Sequence, residues 1–156
     1  VIFVGRAGAP EKGGHVLRQA EKGTDWKVLW PGDRVNIGYE RLPERYNSAR
    51  VHAAPSIDTP HWREQSPGGY ASLEAISCGL FNVATQSAST FEGLNGCPGV
   101  YFVPQNNSDY LRWSISEALK AHPPEDVNMK GREWIIERYG NEAVAKKLKE
   151  AFEKLG

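Results

Sequence analysis

Two stretches of the chain combine residue types suited to holding a phosphorylated ligand. The first, "GRAGAPEKGG", sets Arg6 and Lys12 on one glycine-rich loop directly after an apolar run. A guanidinium and an ammonium beside flexible backbone form charge-assisted bonds to phosphate oxygens, and a diphosphate offers enough oxygens for both. Neither common phosphate-loop template fits. Arg6-Ala7 between Gly5 and Gly8 breaks the dinucleotide pattern G-x-G-x-x-G, and the order Lys12-Gly13-Gly14 is not the glycine, lysine, serine or threonine order of a P-loop. Taken alone, the loop reads more readily as a solvated turn whose two cations confer solubility.

The second stretch, "SPGGYASLEAISCGLFNVAT", puts Gly68 and Gly69 at the start of a short amphipathic pattern. A helix beginning near Gly68 has unpaired amides and a partial positive end, which favour an anion, and glycine lets a phosphate approach the backbone. A turn needing positive φ explains the same glycines. Glu74 lies inside the helical pattern between Leu73 and Ala75, where a carboxylate is costly unless it has a partner or faces a cleft. It holds either a ligand hydroxyl, such as that of a sugar, or a structural partner.

The elements that must position these residues are legible from periodicity. "VIFVG" reads as a buried strand closed by Gly5, followed by a helix over "KGGHVLRQAEKG" with Val16, Leu17 and Ala20 inward. "DWKVLWPG" is a second strand, "YERLPERYNSA" a weak helix whose length Pro43 leaves open, and "RVHAAPS" a third strand. Polar residues 56–67 carry two prolines and no periodicity, and read as a functional loop. A helix follows with Tyr70, Leu73, Ile76 and Leu80 on one face, then the strands "FNVAT" and "GVYFVP". "NSDYLRWSISEALKAH" is a helix capped by Asn107 or Ser108, and the tail gives two helices split at Gly140, the second capped by Asn141 and striped by Val144, Leu148, Phe152 and Leu155. Strands alternating with helices imply an α/β, Rossmann-like parallel sheet with helices on both faces, because parallel strands need crossovers. In such sheets ligands sit at the carboxyl ends of the strands.

Bulk properties narrow the function classes. At 156 residues the chain is expected to form a single domain. Lysine plus arginine equals aspartate plus glutamate at 19 each, so no global basic field gathers nucleic acid. Its apolar runs are strand-sized, far short of the roughly 20 residues of a transmembrane segment. Cys78 and Cys97 lack metal spacing and are too few for a disulfide scaffold, which fits free thiols in a reducing compartment. His15, His52, His61 and His122 are scattered, and no metal site is expected. The chain opens inside an apolar run with no initiator methionine, and we expect an excised or processed piece of a longer polypeptide.

The ordered blocks "FVGR", "KGG", "APS", "SPGGYASLEAISCGLFNVAT", "FEG" and "WIIERY" resemble the carboxyl-terminal half of the large retaining GT-B glycosyltransferases, family 4 or group 1. The resemblance covers nearly the whole chain, and "LEA…CG…VAT" is its most specific part. It implies that Arg6 and Lys12 contact the nucleoside diphosphate and stabilise it as leaving group. It further implies that Glu74 binds the ribose hydroxyls and that the backbone at Gly68, Gly69 and Tyr70 approaches the phosphate and donor sugar. Pro31, Gly32 and Asp33 would lie near the base. The amino-terminal GT-B domain, which supplies the acceptor site, is absent from this chain, so transfer is expected only with that partner domain. No cofactor is implied beyond the nucleotide sugar itself. A cytoplasmic location is expected, with peripheral membrane attachment left to the missing domain.

One position departs from the family. Where it carries a first glutamate that touches the donor sugar, eight residues before Glu74, this chain has Ser66, with Glu64 nearby. Either Ser66 makes a weaker contact, Glu64 substitutes, the sugar is unusual, or activity is lost. A catalytically degenerate binding or scaffolding module is therefore the alternative. A nucleotide-sugar epimerase or phosphorylase on the related fold comes next, and a dinucleotide oxidoreductase last. Trp62 and the loop from Ser56 to Gln65 select the sugar, contact an acceptor, or simply pack.

Overall fold

The computed structural model describes residues 1–31, 38–59 and 69–154. The expectations for Gly32, Asp33, His61, Trp62, Glu64, Ser66 and Gly68 lie outside the described residues.

Three parallel strands, β1 (Val51–Ala54), β2 (Phe81–Thr85) and β3 (Val100–Val103), form a sheet in the order β1-β2-β3. Two shorter segments extend it. Ile2 bridges in parallel to His52 on one side and to Leu29 on the other, with Ile2 N donating to Val51 O (2.8 Å) and Phe3 N to Leu29 O (3.0 Å). The spatial order is thus Leu29, Ile2, β1, β2, β3. From Ile2 the chain moves outward to Leu29, then returns to the far side of Ile2 for β1. The direction of winding reverses between Ile2 and β1, and crevices for ligands open outside the carboxyl ends of strands at such a point.

Alternation along the strands sends consecutive side chains to opposite faces. On one face Phe3, Val28, Val51, Ala53, Phe81, Val83 and Val103 pack against Val16, Leu17 and Ala20 of α1 (Gly14–Glu21) and Leu111, Ile115 and Ala118 of α5 (Ser108–Ala121). On the other face Ile2 meets Tyr46 of α2 (Leu42–Asn47) and Ala75 of α3 (Tyr70–Ser77). There also Val100 and Phe102 meet Ile76, Leu94 of α4 (Ala88–Leu94) and Ile135 of α6 (Met129–Tyr139). Each fully buried Leu or Ile contributes about 2 kcal/mol by leaving water.

Several sequence expectations are corrected. Pro43, which left the length of its helix open, belongs to a helix of only six residues. It stands in the first turn of α2, where a missing N–H is harmless, and the preceding turn Tyr39–Arg41 is 3-10. On α3 the buried residues are Ser72, Ala75 and Ile76, while Tyr70 is 63% exposed. That helix lies between the sheet and α6, so its small residues face the strands. α4 was not anticipated. The helix α7 (Asn141–Glu153) is capped at Gly140 rather than by the Asn141 side chain, and Val144, Leu148 and Phe152 along its stripe are exposed.

Candidate functional site

The loop from Gly5 to Gly13 leaves the Ile2 segment at its carboxyl end and folds back over the exit of β1. Ile57 N donates to Glu11 O (2.8 Å), and Ala7 and Ile57 pack on the α1-side core. Gly13 has φ 65°, and a Cβ there would sit 1.8 Å from Pro55 O, so no other residue lets the loop close against β1. A turn of 3-10 helix, Pro10–Lys12, then delivers Lys12. Its side chain passes Gly5, within 4.0 Å of where a Cβ would lie.

Arg6 and Lys12 therefore share one loop, as the sequence implied, with Glu11 between them. Arg6 Nη2 donates to Glu11 Oε1 at 3.3 Å, with the Arg6 side chain 76% exposed. An ion pair this open to water is worth little, so Arg6 can turn to a bound anion at small cost. Burial lowers the Lys12 pKa, with the positive charge of Arg6 adding and the negative charge of Glu11 opposing. An arriving anion reverses that balance. The sequence reading missed Glu11, although its place between two cations on one loop was visible.

The second stretch starts α3 at Tyr70. Gly69, at φ 62°, occupies the cap position with no side-chain cap, just as Gly13 does for α1. The first amides of both helices thus have no intrahelical acceptor. Because α1 follows the Ile2 segment and α3 follows β1, both starts lie at the carboxyl edge of the sheet, on opposite faces. The two positive helix ends flank the switch point.

Glu74 lies five residues past Gly69, about 7.5 Å along the helix axis. Both of its oxygens are engaged. Tyr46 donates to Oε2 at 2.9 Å and Tyr39 to Oε1 at 3.1 Å. Tyr46 is 1% exposed, and burial together with the Glu74 charge pushes its phenol well above the ordinary range. Tyr39 is exposed, and its phenol is raised by the bond to Glu74. Glu74, Tyr39, Tyr46 and Tyr70 line a cavity of about 540 Å³ between α2, α3, α6 and α7, a size suited to a small molecule. Arg6 and Lys12 do not line it. The link between them is the strand before the loop, for Val4, just before Gly5, packs in the same cluster as Tyr46 and Ala75. Pro31 borders a separate pocket of about 190 Å³ with Ile2, Leu29, Trp30 and Arg45.

Neither tyrosine was singled out from sequence. Tyr39, Leu42 and Tyr46 are spaced as one helical face, which was the available signal. The beginning of the polar loop is anchored at the carboxyl edge too. Asp58 accepts from Ala88 N and from Gln105 Nε2, and the Thr85 hydroxyl donates to Ser56 O.

Below the site His52 and Asn82 form a buried pair on adjacent strands, His52 Nδ1 donating to Asn82 Oδ1 at 2.7 Å. The Tyr46 ring stands edge-on to His52, with centroids 6.2 Å apart. His52 Nε2 and Asn82 Nδ2 have no hydrogen-bond partner among the described residues. Burial lowers the His52 pKa to about 4, so the ring is neutral at pH 7. Burial also raises both thiols, Cys97 to about 11, in keeping with unreactive cysteines. Among the described residues no group of three or more His, Cys, Asp or Glu side chains converges, and no helix is long and apolar enough to cross a membrane.

Known structures share this architecture. A glycosyltransferase from Rickettsia africae superposes with a TM-score of 0.76 at 16% identity, over 98% of this chain and 46% of that one. HepE of Anabaena in complex with UDP gives 0.76 at 14% identity, over 98% and 48%. Sucrose-phosphate synthase of Thermosynechococcus elongatus gives 0.75 at 20% identity, over 99% and 44%. No protein-family model matches the chain, and no curated protein matches it by sequence. The chain has the α/β fold of one part of these glycosyltransferases and spans less than half their length.

Proposed function

We propose that the chain is the donor-binding half of a retaining, metal-independent glycosyltransferase that moves a sugar from a nucleoside-diphosphate sugar to an acceptor. The observation carrying this reading is the pair of glycine-led helix starts without side-chain caps at the carboxyl edge of the sheet, with Arg6 and Lys12 on the loop that leads into the first. The fold it shares with glycosyltransferases supports it, as do the solved complexes of HepE with UDP and with UDP-glucose.

In such a transfer the bond between the anomeric carbon and the diphosphate oxygen breaks, and its electron pair stays on the diphosphate. The acceptor oxygen bonds to the anomeric carbon and its proton passes to the departing diphosphate oxygen. Charge grows on the leaving group, and donors already aimed at it lower the barrier, each by roughly 3 kcal/mol. We assign that part to Arg6, Lys12 and the amides at Gly69 and Tyr70, and by the family resemblance to Gly68 as well. Glu74 is assigned to the ribose hydroxyls, Gly32 to the base, and Ser66 or Glu64 to the donor sugar. The acceptor site belongs to an amino-terminal domain of the parent protein, so this chain alone binds donor without transferring sugar. We place the whole in the cytoplasm, with any membrane contact made by that other domain.

Titration calorimetry of the chain with UDP, ADP and GDP tests the reading. Saturable binding of at least one is expected, and Arg6→Ala with Lys12→Ala should weaken it on the order of a hundredfold. Unchanged affinity in the double variant would remove both cations from the site. The Arg6–Glu11 pair and Ser66 in place of a glutamate favour the second reading, a degenerate scaffolding module. That reading requires no saturable nucleotide binding at all.

A further inference from the structure

Glu74 is held in a way its proposed task alone does not require. A carboxylate that meets a ribose diol needs one defined orientation, and an exposed glutamate reaches many. Here the buried phenol of Tyr46 grips Oε2 at 2.9 Å, while the exposed phenol of Tyr39 takes Oε1 at 3.1 Å. The two donors differ in kind. Tyr46 is 1% exposed and packs on Ile2, Ala75 and Leu80, its ring edge-on to His52, itself bonded to Asn82 on the next strand. Its hydroxyl also lies 3.3 Å from Ala71 O, one turn before Glu74 on the same helix. Tyr39 stands at 73% exposure beside the cavity.

We propose that Tyr46 is a positioning residue that locks Glu74 from the sheet side, so that the carboxylate presents Oε1 to a vicinal diol, and that Tyr39 occupies this oxygen until the diol replaces it. The inference rests on the assignment of Glu74 to the nucleotide ribose. The bond on Oε2 is shielded from water and tied to the sheet, so the carboxylate cannot swivel. The bond on Oε1 is open to water, so a competing hydroxyl displaces Tyr39 at little cost. A carboxylate has about four acceptor positions, which leaves room for both diol hydroxyls once Tyr39 has moved. Throughout, Tyr46 serves as donor because its phenol stays protonated.

The test compares UDP, ADP and GDP, each with its 2′,3′-dideoxy analogue, by calorimetry on the wild-type chain, Tyr46→Phe and Tyr39→Phe. In the wild type the ribonucleotide is expected to bind more tightly, and Tyr46→Phe should shrink the ratio of the two affinities on the order of tenfold. The dideoxy analogue should bind Tyr46→Phe as it binds the wild type. Tyr39→Phe should keep or widen the ratio. A merely structural Tyr46 would lower the melting temperature and weaken both nucleotides alike, leaving the ratio unmoved, and that result overturns the inference. Failure of the wild type to bind any pair overturns the functional reading itself, and this inference with it. Binding without discrimination refutes only the ribose assignment and the role built on it.

Discussion

Acid should unfold this protein through one residue more than any other among those described. His52 is neutral and sealed in the sheet, with its pKa lowered from 6.5 to about 4. In the unfolded chain it takes up a proton below pH 6.5, whereas the folded chain resists doing so until about 4. The unfolded state therefore binds more protons in this window, and stability falls as pH falls through it. At about 1.36 kcal/mol per unit, the whole shift is worth on the order of 3 kcal/mol, of which about 2 is gone by pH 5. The mechanism is visible at the site. Protonation adds a charge and a second N–H at Nε2, which has no partner among the described residues. The measurement is urea unfolding by circular dichroism at pH 8, 7, 6 and 5, on wild type and on His52→Val with Asn82→Val. The double substitution restores an apolar pair at facing positions of β1 and β2. Its stability should fall less between pH 8 and 5 than that of the wild type, by about 2 kcal/mol. Carboxylates titrate in both proteins and cancel in the difference. Equal slopes for the two would show that His52 is not the acid-sensitive group. Since the folded ring stays neutral down to about pH 4, His52 should leave nucleotide affinity unchanged between pH 8 and 5.

Two backbone and capping predictions follow. Gly13→Ala puts a methyl 1.8 Å from Pro55 O at φ 65°, and neither the carbonyl nor the backbone can yield locally; it should cost at least about 2 kcal/mol, read as a melting temperature lower by about 5 °C or more. An unchanged melting temperature would mean that the loop does not rest on β1. Asn128 caps α6 by accepting from Gly131 N at 3.0 Å and donates to Pro98 O at 3.0 Å. Asn128→Ala should destabilise by roughly 2 kcal/mol through the lost cap and the loss of the donor to Pro98 O and Leu80 O, and Asn128→Asp should destabilise at least as much, because its buried carboxylate faces those two carbonyls.

Most elements were legible in the residues because their signals are local. The alternation Trp26, Val28 against Lys27 and the stripe Val16, Leu17, Ala20 declare strand and helix within a few positions; the helix formed as read, while the expected strand is reduced to a single bridge at Leu29. Misreadings arose where an element is covered on two sides or on none. Both flanks of α3 are packed, so its pattern does not single out the face toward the sheet, and α7 keeps an apolar stripe that no described residue covers. The cations of the loop and the helix-borne carboxylate could likewise be named from type and spacing.

What no window of sequence contains is who touches whom across the fold. Tyr46 meets Glu74 across 28 positions, and His52 meets Asn82 across 30. Only the winding order, with Ile2 between Leu29 and β1, brings the two glycine-led helix starts to one edge. Residue types determine which groups can ionise, donate or bend; proximity between distant groups is set by the packing of the whole chain, because contacts between distant positions form only when the intervening backbone has given up its freedom.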